Sequence, residues 1–325
     1  MKPDPSLERI NELAADPRHR ADMANFGKVD ALRPFVPEEQ TQLFYTPVYA
    51  TLNHEQRLRY NQLFGLRLNE YIMTLEAELI ERLLAPLRRH PRVCADPAML
   101  LALDTMIAEE RRHHAGFAAF NRAVRPDLYP PGRDRFFAQM PWWSRAMFSV
   151  VGWVAWRYAF AAWYMMAMEE SAKSLARDMV LHPQTDTLGA LDPAFVTLHH
   201  QHMKDEARHV HIDALLIERC IDDKRAATNA LLFTVMLEGV LRPTRGGSGA
   251  RVIRQLVFDI PELASREAEL INAVLSLRDD RRFQESLFNR RIMPSTFELF
   301  DRTPALADLG RKMVGYDRRA PARTA

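Results

Sequence analysis

Two segments of this 325-residue chain carry a glutamate and a histidine at the spacing with which one helix can hold a metal ion. One segment runs from Glu110 to His113, and the other runs from Glu206 to His209. Residues i and i+3 leave the same face of an α-helix, so each pair can share one ion. A single pair of this kind often arises by chance. Two pairs, each on a long predicted helix, indicate a metal site much more strongly.

On each of two further predicted helices, two nearby glutamates compete for the site, and the helix faces favour one of them. The neighbours of Glu76 one turn away are apolar, whereas charged residues follow on the face of Glu78. Glu76 is therefore predicted to point inward. On the other helix, Glu169 has slightly more apolar neighbours than Glu170, so we favour Glu169 and keep Glu170 as the alternative.

The cost of burying carboxylates is the physical argument for a metal. Four carboxylates around one point would repel each other, and each costs several kcal/mol to bury without a partner. Two divalent cations would balance them, and oxygen and nitrogen ligands without thiolates favour iron or manganese. Any one of these residues alone fits a surface position on an amphipathic helix. The agreement between helix faces and helix order favours the metal site for the whole set.

Other polar residues lie close to these motifs. An acid precedes each motif glutamate, namely Glu109 and Asp205. Because metal-bound imidazoles usually donate their second N–H to a carboxylate, we expect Asp205 to reach His113 and Glu109 to reach His209. The alternative for both acids is a solvent-facing position.

A third histidine can enter the same site. His202 precedes Glu206 by four residues and His209 by seven, which places all three on one helix face. A polar position on the helix surface is the alternative for His202. His114 stays open as an alternative to His113.

The elements that position these residues are predicted to be helices. Glycine is scarce, and no segment alternates as a sheet core would. Four long helices are predicted at about 54–89, 96–124, 141 or 144 to 181, and 193–220. Shorter ones are predicted near 224–242, 261–278, 282–290 and 304–315, with a flexible joint at 246–249. Two glutamate–histidine pairs and two single glutamates on four long helices are the pattern of ferritin-like di-metal carboxylate bundles. We therefore predict an all-α fold, a ferritin-like four-helix bundle core with additional packed helices.

The predicted organisation is one domain over residues 1–325. Its metal-binding core is expected at about 54–220, residues 1–50 are expected to wrap over the body, and 224–315 are expected to supply the additional helices. The apolar stretch 146–168 has Arg157 at its centre, so it is interpreted as a buried bundle helix and not as a membrane span.

Composition and charge exclude several classes of protein. The 44 basic and 42 acidic residues nearly cancel without a basic block, which argues against binding to nucleic acid. Only Cys94 and Cys220 are present, so a disulfide scaffold and a cysteine-ligated zinc site are excluded. No apolar run follows the N-terminus, so no secretion signal is predicted and the cytoplasm is the expected location.

A family resemblance rests on three of these segments. Residues 202–209, HMKDEARH, resemble the His-x-x-x-Asp-Glu-x-x-His signature of the p-aminobenzoate N-oxygenase family of non-haem di-iron enzymes. Glu109 to His113 resembles that family's Asp-Glu-x-x-His, with Glu in place of Asp. Asn69 and Glu70, followed by Glu76, resemble its first-helix ligand segment. The resemblance covers about 54–220.

This resemblance implies a ligand set and a reaction. The implied ligands are four glutamates and three histidines: Glu76, Glu110, His113, Glu169, His202, Glu206 and His209. They would hold two iron ions, with manganese as a substitute. The implied reaction is the O2-dependent oxidation of an amine nitrogen to hydroxylamine, nitroso or nitro in secondary-metabolite biosynthesis. Tyr71 stands where the arylamine enzymes carry a basic residue, so both arylamines and amino-acid-derived amines are candidate substrates.

Partners and alternatives follow from what the sequence contains. No reductase or flavin motif is visible, so an external electron donor is expected beside O2 and a small amine; a homodimer and a carrier protein stay open.

Another di-iron oxidase, of hydroxylase or desaturase type, is the alternative enzyme. A radical subunit is disfavoured because Phe117 stands where its tyrosine would be. A non-enzymatic iron-binding bundle is the remaining alternative. Aromatic and methionine residues could line the cavity or fill the core: Phe117, Trp153, Trp156, Phe160, Trp163, Met165 and Met166.

Overall fold

The computed structural model describes residues 6–140, 142–153, 155–220 and 223–302, and these ranges are all-α, without a strand. The helices in chain order are α1 Leu7–Ala15, α2 His54–Thr74, α3 Pro91–Cys94, α4 Pro97–Val124, α5 Trp142–Gly152, α6 Phe160–Leu181, α7 Pro193–Cys220, α8 Ala226–Leu241, α9 Ser248–Asp259, α10 Glu267–Ser276, α11 Arg281–Leu287 and α12 Pro294–Arg302. The prediction of an all-α, ferritin-like fold is confirmed.

The first long helix begins as predicted and ends in an irregular way. Asn53 caps α2, and Gln56 returns the hydrogen bond to the backbone of the cap, which forms a capping box. The chain then continues as a π-helix over Leu75–Leu84 and as a 3-10 helix over Ala85–Arg89. Such π segments are rare and often accompany functional sites. Glu76 is the second residue of this segment, which the sequence pattern did not predict.

The second and fourth long helices have the bounds that the sequence predicts. The carboxylate of Asp96 caps α4 through the backbone N–H groups of Ala98 and Met99. In the same way, the carboxylate of Asp192 accepts a hydrogen bond from the backbone N–H of Phe195 at the start of α7. Both helices are 28 residues long, so each can carry its ligands near the middle of the bundle.

The third predicted helix is not continuous, and that prediction was wrong. The segment divides into α5, a 3-10 turn at Ala155–Arg157, and α6. Gly152 lies against the backbone carbonyl of Arg82, where a Cβ would collide. Arg157 lies in the 3-10 turn and is exposed, with its guanidinium 4.9 Å from the centre of the Trp156 ring. At this exposed position the charge avoids the cost of burial without a partner. The stretch 146–168 is therefore not one buried helix.

The predicted joint at 246–249 overlaps the start of a helix, with residues 246–247 in the turn before it. Helix α9 begins there, and the backbone of Gly249 packs so closely against the side chain of Gln42 that a Cβ would collide. Helices α1, α3, α9 and α12 were not predicted, and the predicted helix at 304–315 lies outside the described residues.

Four helices form the centre of the bundle. Helix α6 packs along α7, and α4 packs against both α2 and α7. Helix α9 covers α2, while α8 and α12 pack on α6. Along the described ranges, we find no helix with the length and apolarity needed to cross a membrane. The assignment of all 325 residues to one domain stays a prediction.

Candidate metal centre

The four central helical elements bring the predicted ligands to one place inside the bundle. The carboxylates and imidazoles form two groups, and within each group the ligand atoms lie within 4.8 Å of one another. The first group is Glu76, Glu110, His113 and His202, and the second is Glu110, Glu169, Glu206 and His209. Every member is buried, and Glu110 belongs to both groups. Together the groups contain the seven residues that the resemblance implies.

The first group surrounds the imidazole of His202. Its Nε2 lies 2.8 Å from Oε1 of Glu206 and 3.4 Å from Oε1 of Glu76. The Nδ1 atom of His113 lies 3.2 Å from Oε2 of Glu110 and 3.8 Å from Oε1 of Glu76. These atoms come from α2's π-helical extension, α4 and α7, so three elements share this half of the site.

The second group surrounds the imidazole of His209. Its Nδ1 atom lies 2.9 Å from Oε1 of Glu110 and 3.5 Å from Oε1 of Glu206. Both carboxylate oxygens of Glu169 are buried and have no hydrogen bond within the described part of the chain. Helix α6 thus adds an unbonded carboxylate to this half of the site.

The choice between Glu169 and Glu170 depends on what each carboxylate contacts. The oxygens of Glu170 accept from the backbone N–H groups of Ser295 and Thr296 at 2.8 and 2.9 Å and from the hydroxyl of Thr296. Glu170 therefore binds the start of α12, and Glu169 is the one that joins the cluster of carboxylates and imidazoles.

Two acids support the histidines from behind, at the contacts that the sequence analysis predicts. Nε2 of His113 lies 3.0 Å from Oδ2 of Asp205, and Nε2 of His209 lies 2.9 Å from Oε2 of Glu109. Each carboxylate comes from the opposite helix of the α4–α7 pair. A hydrogen bond from Nε2–H leaves Nδ1 of each ring available to a metal. His202 instead presents Nε2 to the cluster.

Arginines between these acids were missed by the sequence analysis. The guanidinium of Arg208 donates to Glu109 and to Asp205, each at 2.6 Å. The guanidinium of Arg112 lies 3.5 Å from Glu109 and 3.8 Å from Asp205. A signal was present, since both motifs read acid-Glu-x-Arg-His at residues 109–113 and 205–209. The two arginines thus supply positive charge beside both buried acids.

The electrostatics of the cluster follow from burial and from close opposite charges. Burial raises the pKa of Glu76 to about 7 and that of Glu169 well above its ordinary value. Burial alone would also raise the pKa of Glu206, but nearby imidazolium groups hold it well below its ordinary value. Burial opposes the charging of His113 and His202, yet the surrounding carboxylates raise their pKa values to about 9 and about 10. The cluster strongly favours positive charge at its centre.

A further acid near the cluster was missed. Asp213 follows His209 by four residues on α7, and its carboxyl is buried beside that of Glu169. Burial raises the pKa of Asp213 well above its ordinary value, and the pKa of Glu169 is raised in the same way. The spacing from His209 was a signal that could have identified it.

Other candidates from the sequence point elsewhere. His114 lies 3.4 Å from the carbonyl of Met73 and 3.5 Å from Asp134, outside the cluster. Glu70, in the first-helix segment, accepts from the hydroxyl of Tyr129 at 2.5 Å and from the backbone of Phe136 at 2.8 Å. Glu70 therefore holds the loop that contains Tyr129 and Phe136 against α2.

A cavity of about 290 Å³ lies beside the cluster and reaches five of the seven predicted ligands, namely Glu76, Glu110, Glu169, His202 and Glu206. Of the aromatic and methionine residues proposed as its wall, only Met165 lines it. Phe117, Phe160, Trp163 and Met166 are buried in the core, whereas Trp153 is 79% exposed. Trp153 follows the end of α5 and Trp156 lies in the 3-10 turn before α6, and neither lines the cavity.

The hydrogen bonding of the buried carboxylates bears on whether these residues fit a metal. Neither oxygen of Glu76, Glu169 or Glu206 has a hydrogen bond of acceptable geometry in the described ranges. Carboxylates held dry in this way require a compensating charge. The donor set of four carboxylates and three imidazoles, without thiolate, fits a pair of divalent iron or manganese ions.

The fold and this cluster define a ferritin-like di-metal carboxylate protein. The sequence profile of the p-aminobenzoate N-oxygenase AurF family matches residues 21–245, so the chain belongs to that family. Its members are di-iron oxygenases, and this chain is accordingly an oxidoreductase of the oxygenase class. No curated protein is similar enough in sequence to count as a match.

Proposed function

We propose that this protein is an O2-dependent di-iron N-oxygenase, a monooxygenase that oxidises the amine nitrogen of a small molecule. The product would be a hydroxylamine, or after further oxidation a nitroso or nitro compound, in secondary-metabolite biosynthesis. The observation that carries the proposal is the convergence of seven buried ligands beside a cavity that reaches five of them. Membership in the N-oxygenase family supports the reaction class.

The ligand roles in this proposal follow the two groups. Glu76, His113 and His202 would hold one iron, whereas Glu169 and His209 would hold the other. Glu110 belongs to both groups and would contact both ions. Glu206 would join the second group, and its Oε1 atom also lies 2.8 Å from His202. Manganese could replace iron, because this donor set suits both metals.

The chain's own residues would prepare the site in two ways. A bound pair of ferrous ions supplies two electrons to O2, which glutamate and histidine side chains cannot do. Asp205 and Glu109 would hold two imidazoles in the tautomer that presents Nδ1. The cavity would hold the amine beside Glu76 and Glu110. An external donor would supply further electrons.

The alternatives retain less support. A hydroxylase or desaturase would use the same metal cluster, but the family match favours nitrogen oxidation. A non-enzymatic iron-binding bundle would not need a cavity that reaches the ligands.

The cytoplasm remains the expected location, and no nucleic-acid partner is expected. A homodimer or a carrier-bound substrate is compatible with the site.

One experiment tests the proposal directly. The protein is loaded anaerobically with Fe²⁺, its iron content is measured, and an arylamine such as 4-aminobenzoate is added with a chemical reductant and O2. We expect two irons per chain, a new visible absorption band on exposure to O2, and an N-oxidised product by mass spectrometry. His202→Ala should lower the iron content and abolish the product, whereas His182→Ala, at an exposed position, should change neither. Less than one iron per chain, or oxidation at carbon only, would contradict the proposal.

A further inference from the structure

Helix α5 presents a row of apolar side chains to solvent. Trp142, Ala146 and Val150 are spaced by four residues and follow one face of the helix, and Trp153 continues that row just beyond its end. The exposed fraction is 80% for Trp142, 65% for Val150 and 79% for Trp153. On the other side of α5, Phe148 packs against the core of the bundle. Helix α5 therefore rests on the bundle by one face, and nothing in the described part of the chain covers its outer face.

The charges along this segment are all of one sign. From residue 135 to residue 168 the sequence contains no aspartate, glutamate or lysine, and its only charged residues are three arginines. Arg145 lies on α5 and Arg157 lies in the 3-10 turn that follows, and both are exposed. An exposed acid of the neighbouring π-helical segment, Glu81, pairs with Arg111 on α4. The outer face of α5 is therefore both apolar and cationic.

A second copy of the chain and the chain's own C-terminus match this face poorly. Two copies that paired through α5 would bring arginine close to arginine, since the segment offers no acid to either copy. Residues 303–325 contain five basic and two acidic residues, so their net charge has the same sign as that of the face. Because like charges brought together cost free energy, both comparisons favour an anionic partner.

A lipid surface is the anionic partner that also suits the apolar residues. Tryptophan is enriched where membrane and water meet, because its ring is largely apolar and its N–H is polar. An amphipathic helix with such residues on its outer face lies in the plane of the membrane surface, and arginine side chains extend to the phosphate groups. Trp142 and Trp153 are eleven residues apart, which is roughly 16 Å along a helix. Both rings can therefore enter one surface at the same time.

We propose that the outer face of α5, with Trp142, Val150, Trp153 and the arginines beside them, binds the surface of an anionic membrane. The contact is peripheral and reversible, because a few apolar side chains supply only a weak attachment. The remainder of the bundle stays on the water side of that surface. None of these residues lines the cavity or belongs to the metal cluster, so the inference does not depend on the proposed reaction.

Vesicle binding tests the proposal with the full-length protein. Iron-loaded protein is mixed with vesicles of phosphatidylcholine alone or of phosphatidylcholine with phosphatidylglycerol, and the bound fraction is measured by co-sedimentation. We expect roughly fivefold or tighter partitioning onto the anionic vesicles, since each arginine near the surface adds to the attraction. This preference should weaken as the salt concentration rises. Tryptophan fluorescence should shift to shorter wavelength on binding, because exposed rings leave water.

Variants assign the binding to α5. Trp142→Ser and Trp153→Ser should each weaken binding to the anionic vesicles about tenfold, because each removes a large apolar side chain from the contact. Arg157→Glu should remove most of the preference for the anionic lipid. The matched control is Phe258→Ser on α9, which removes a ring that is 78% exposed and should leave binding unchanged. All four side chains are exposed, so the variants should unfold at the same temperature as the wild type.

Several results would overturn the proposal. They are no binding to anionic vesicles at millimolar lipid, equal binding to both kinds of vesicle, or binding that survives the two tryptophan substitutions combined. A dimer that Trp153→Ser dissociates, in a protein that does not bind vesicles, would assign the face to a second copy instead. Sedimentation velocity on the same samples detects that dimer. Each of these results leaves the proposed N-oxygenase in place, because the measurements involve neither O2 nor an amine.

Discussion

Glu169 and Glu170 are consecutive residues of α6, yet their carboxylates serve different parts of the molecule. Glu169 faces Glu110, Glu206 and His209, whereas Glu170 binds the first backbone N–H groups of α12. Adjacent residues on a helix are rotated by about 100° from each other, so one can face a cluster while the next holds a neighbouring helix.

This division predicts opposite effects of two matched substitutions. Glu169→Gln should lower the iron content to one ion per chain or less, because the second group loses a charged ligand. Glu170→Gln should leave iron binding intact and lower the free energy of unfolding by about 1–3 kcal/mol, because its hydrogen bonds to Ser295 and Thr296 are weakened. Metal analysis and urea denaturation measure the two quantities. Equal iron loss in both variants would contradict the assignment of Glu169.

A second prediction concerns the acid behind His113. Asp205→Asn removes the carboxylate that lies 3.0 Å from Nε2 of His113. The amide holds the imidazole less firmly in the required tautomer, so we expect the affinity for Fe²⁺ to fall about ten- to a hundredfold. Competition with a chelator measures the affinity. Asp104→Asn, at an exposed acid of α4, is the control and should leave the affinity unchanged.

A third prediction concerns the arginine between the two supporting acids. Arg208→Gln leaves Glu109 and Asp205 buried without their closest cation, so the free energy of unfolding should fall by roughly 3–5 kcal/mol. Arg112→Gln should cost less, because its distances to the two acids are 3.5 and 3.8 Å. Arg111→Gln, next to it but exposed, should change stability by less than about 1 kcal/mol. If the three variants unfold at the same denaturant concentration, Arg208 does not compensate the charges of Glu109 and Asp205.

A fourth prediction concerns acid stability away from the metal cluster. The carboxylate of Glu38 is buried and accepts from the hydroxyl of Tyr49 at 2.6 Å and from the backbone and hydroxyl of Thr187 at 2.7 Å. Burial alone would raise its pKa, but these hydrogen bonds lower it below the ordinary value. A lowered pKa stabilises the fold above the unfolded-state pKa, and this contribution disappears as the pH falls through the folded-state pKa.

The test compares wild type and Glu38→Gln from neutral to acidic pH. Wild type should be the more stable at pH 7, by about 1–2 kcal/mol, because glutamine cannot accept the same hydrogen bonds as a charged group. The difference should shrink as the pH falls below about 4, where the unfolded carboxylate takes up a proton. A difference in the free energy of unfolding that stays constant down to pH 3 would show that the charge of Glu38 plays no part.

The sequence alone determined which side chains share a helix face. Spacings of three, four and seven residues are local properties of a helix, so the set of Glu110, His113, His202, Glu206 and His209 could be selected without knowledge of the fold. Caps are local as well, and Asn53 and Asp96 marked the starts of α2 and α4. The family resemblance, carried by the same motifs, is confirmed by the match over residues 21–245.

The tertiary structure decided what depends on contacts between distant parts of the chain. Glu169 and Glu170 have nearly the same local neighbours, and only the packing of α12 against α6 separates their roles. The contact of Gly152, at the end of α5, with the backbone carbonyl of Arg82 likewise joins two separate helices. Such contacts join residues that are far apart in sequence, so no local spacing encodes them.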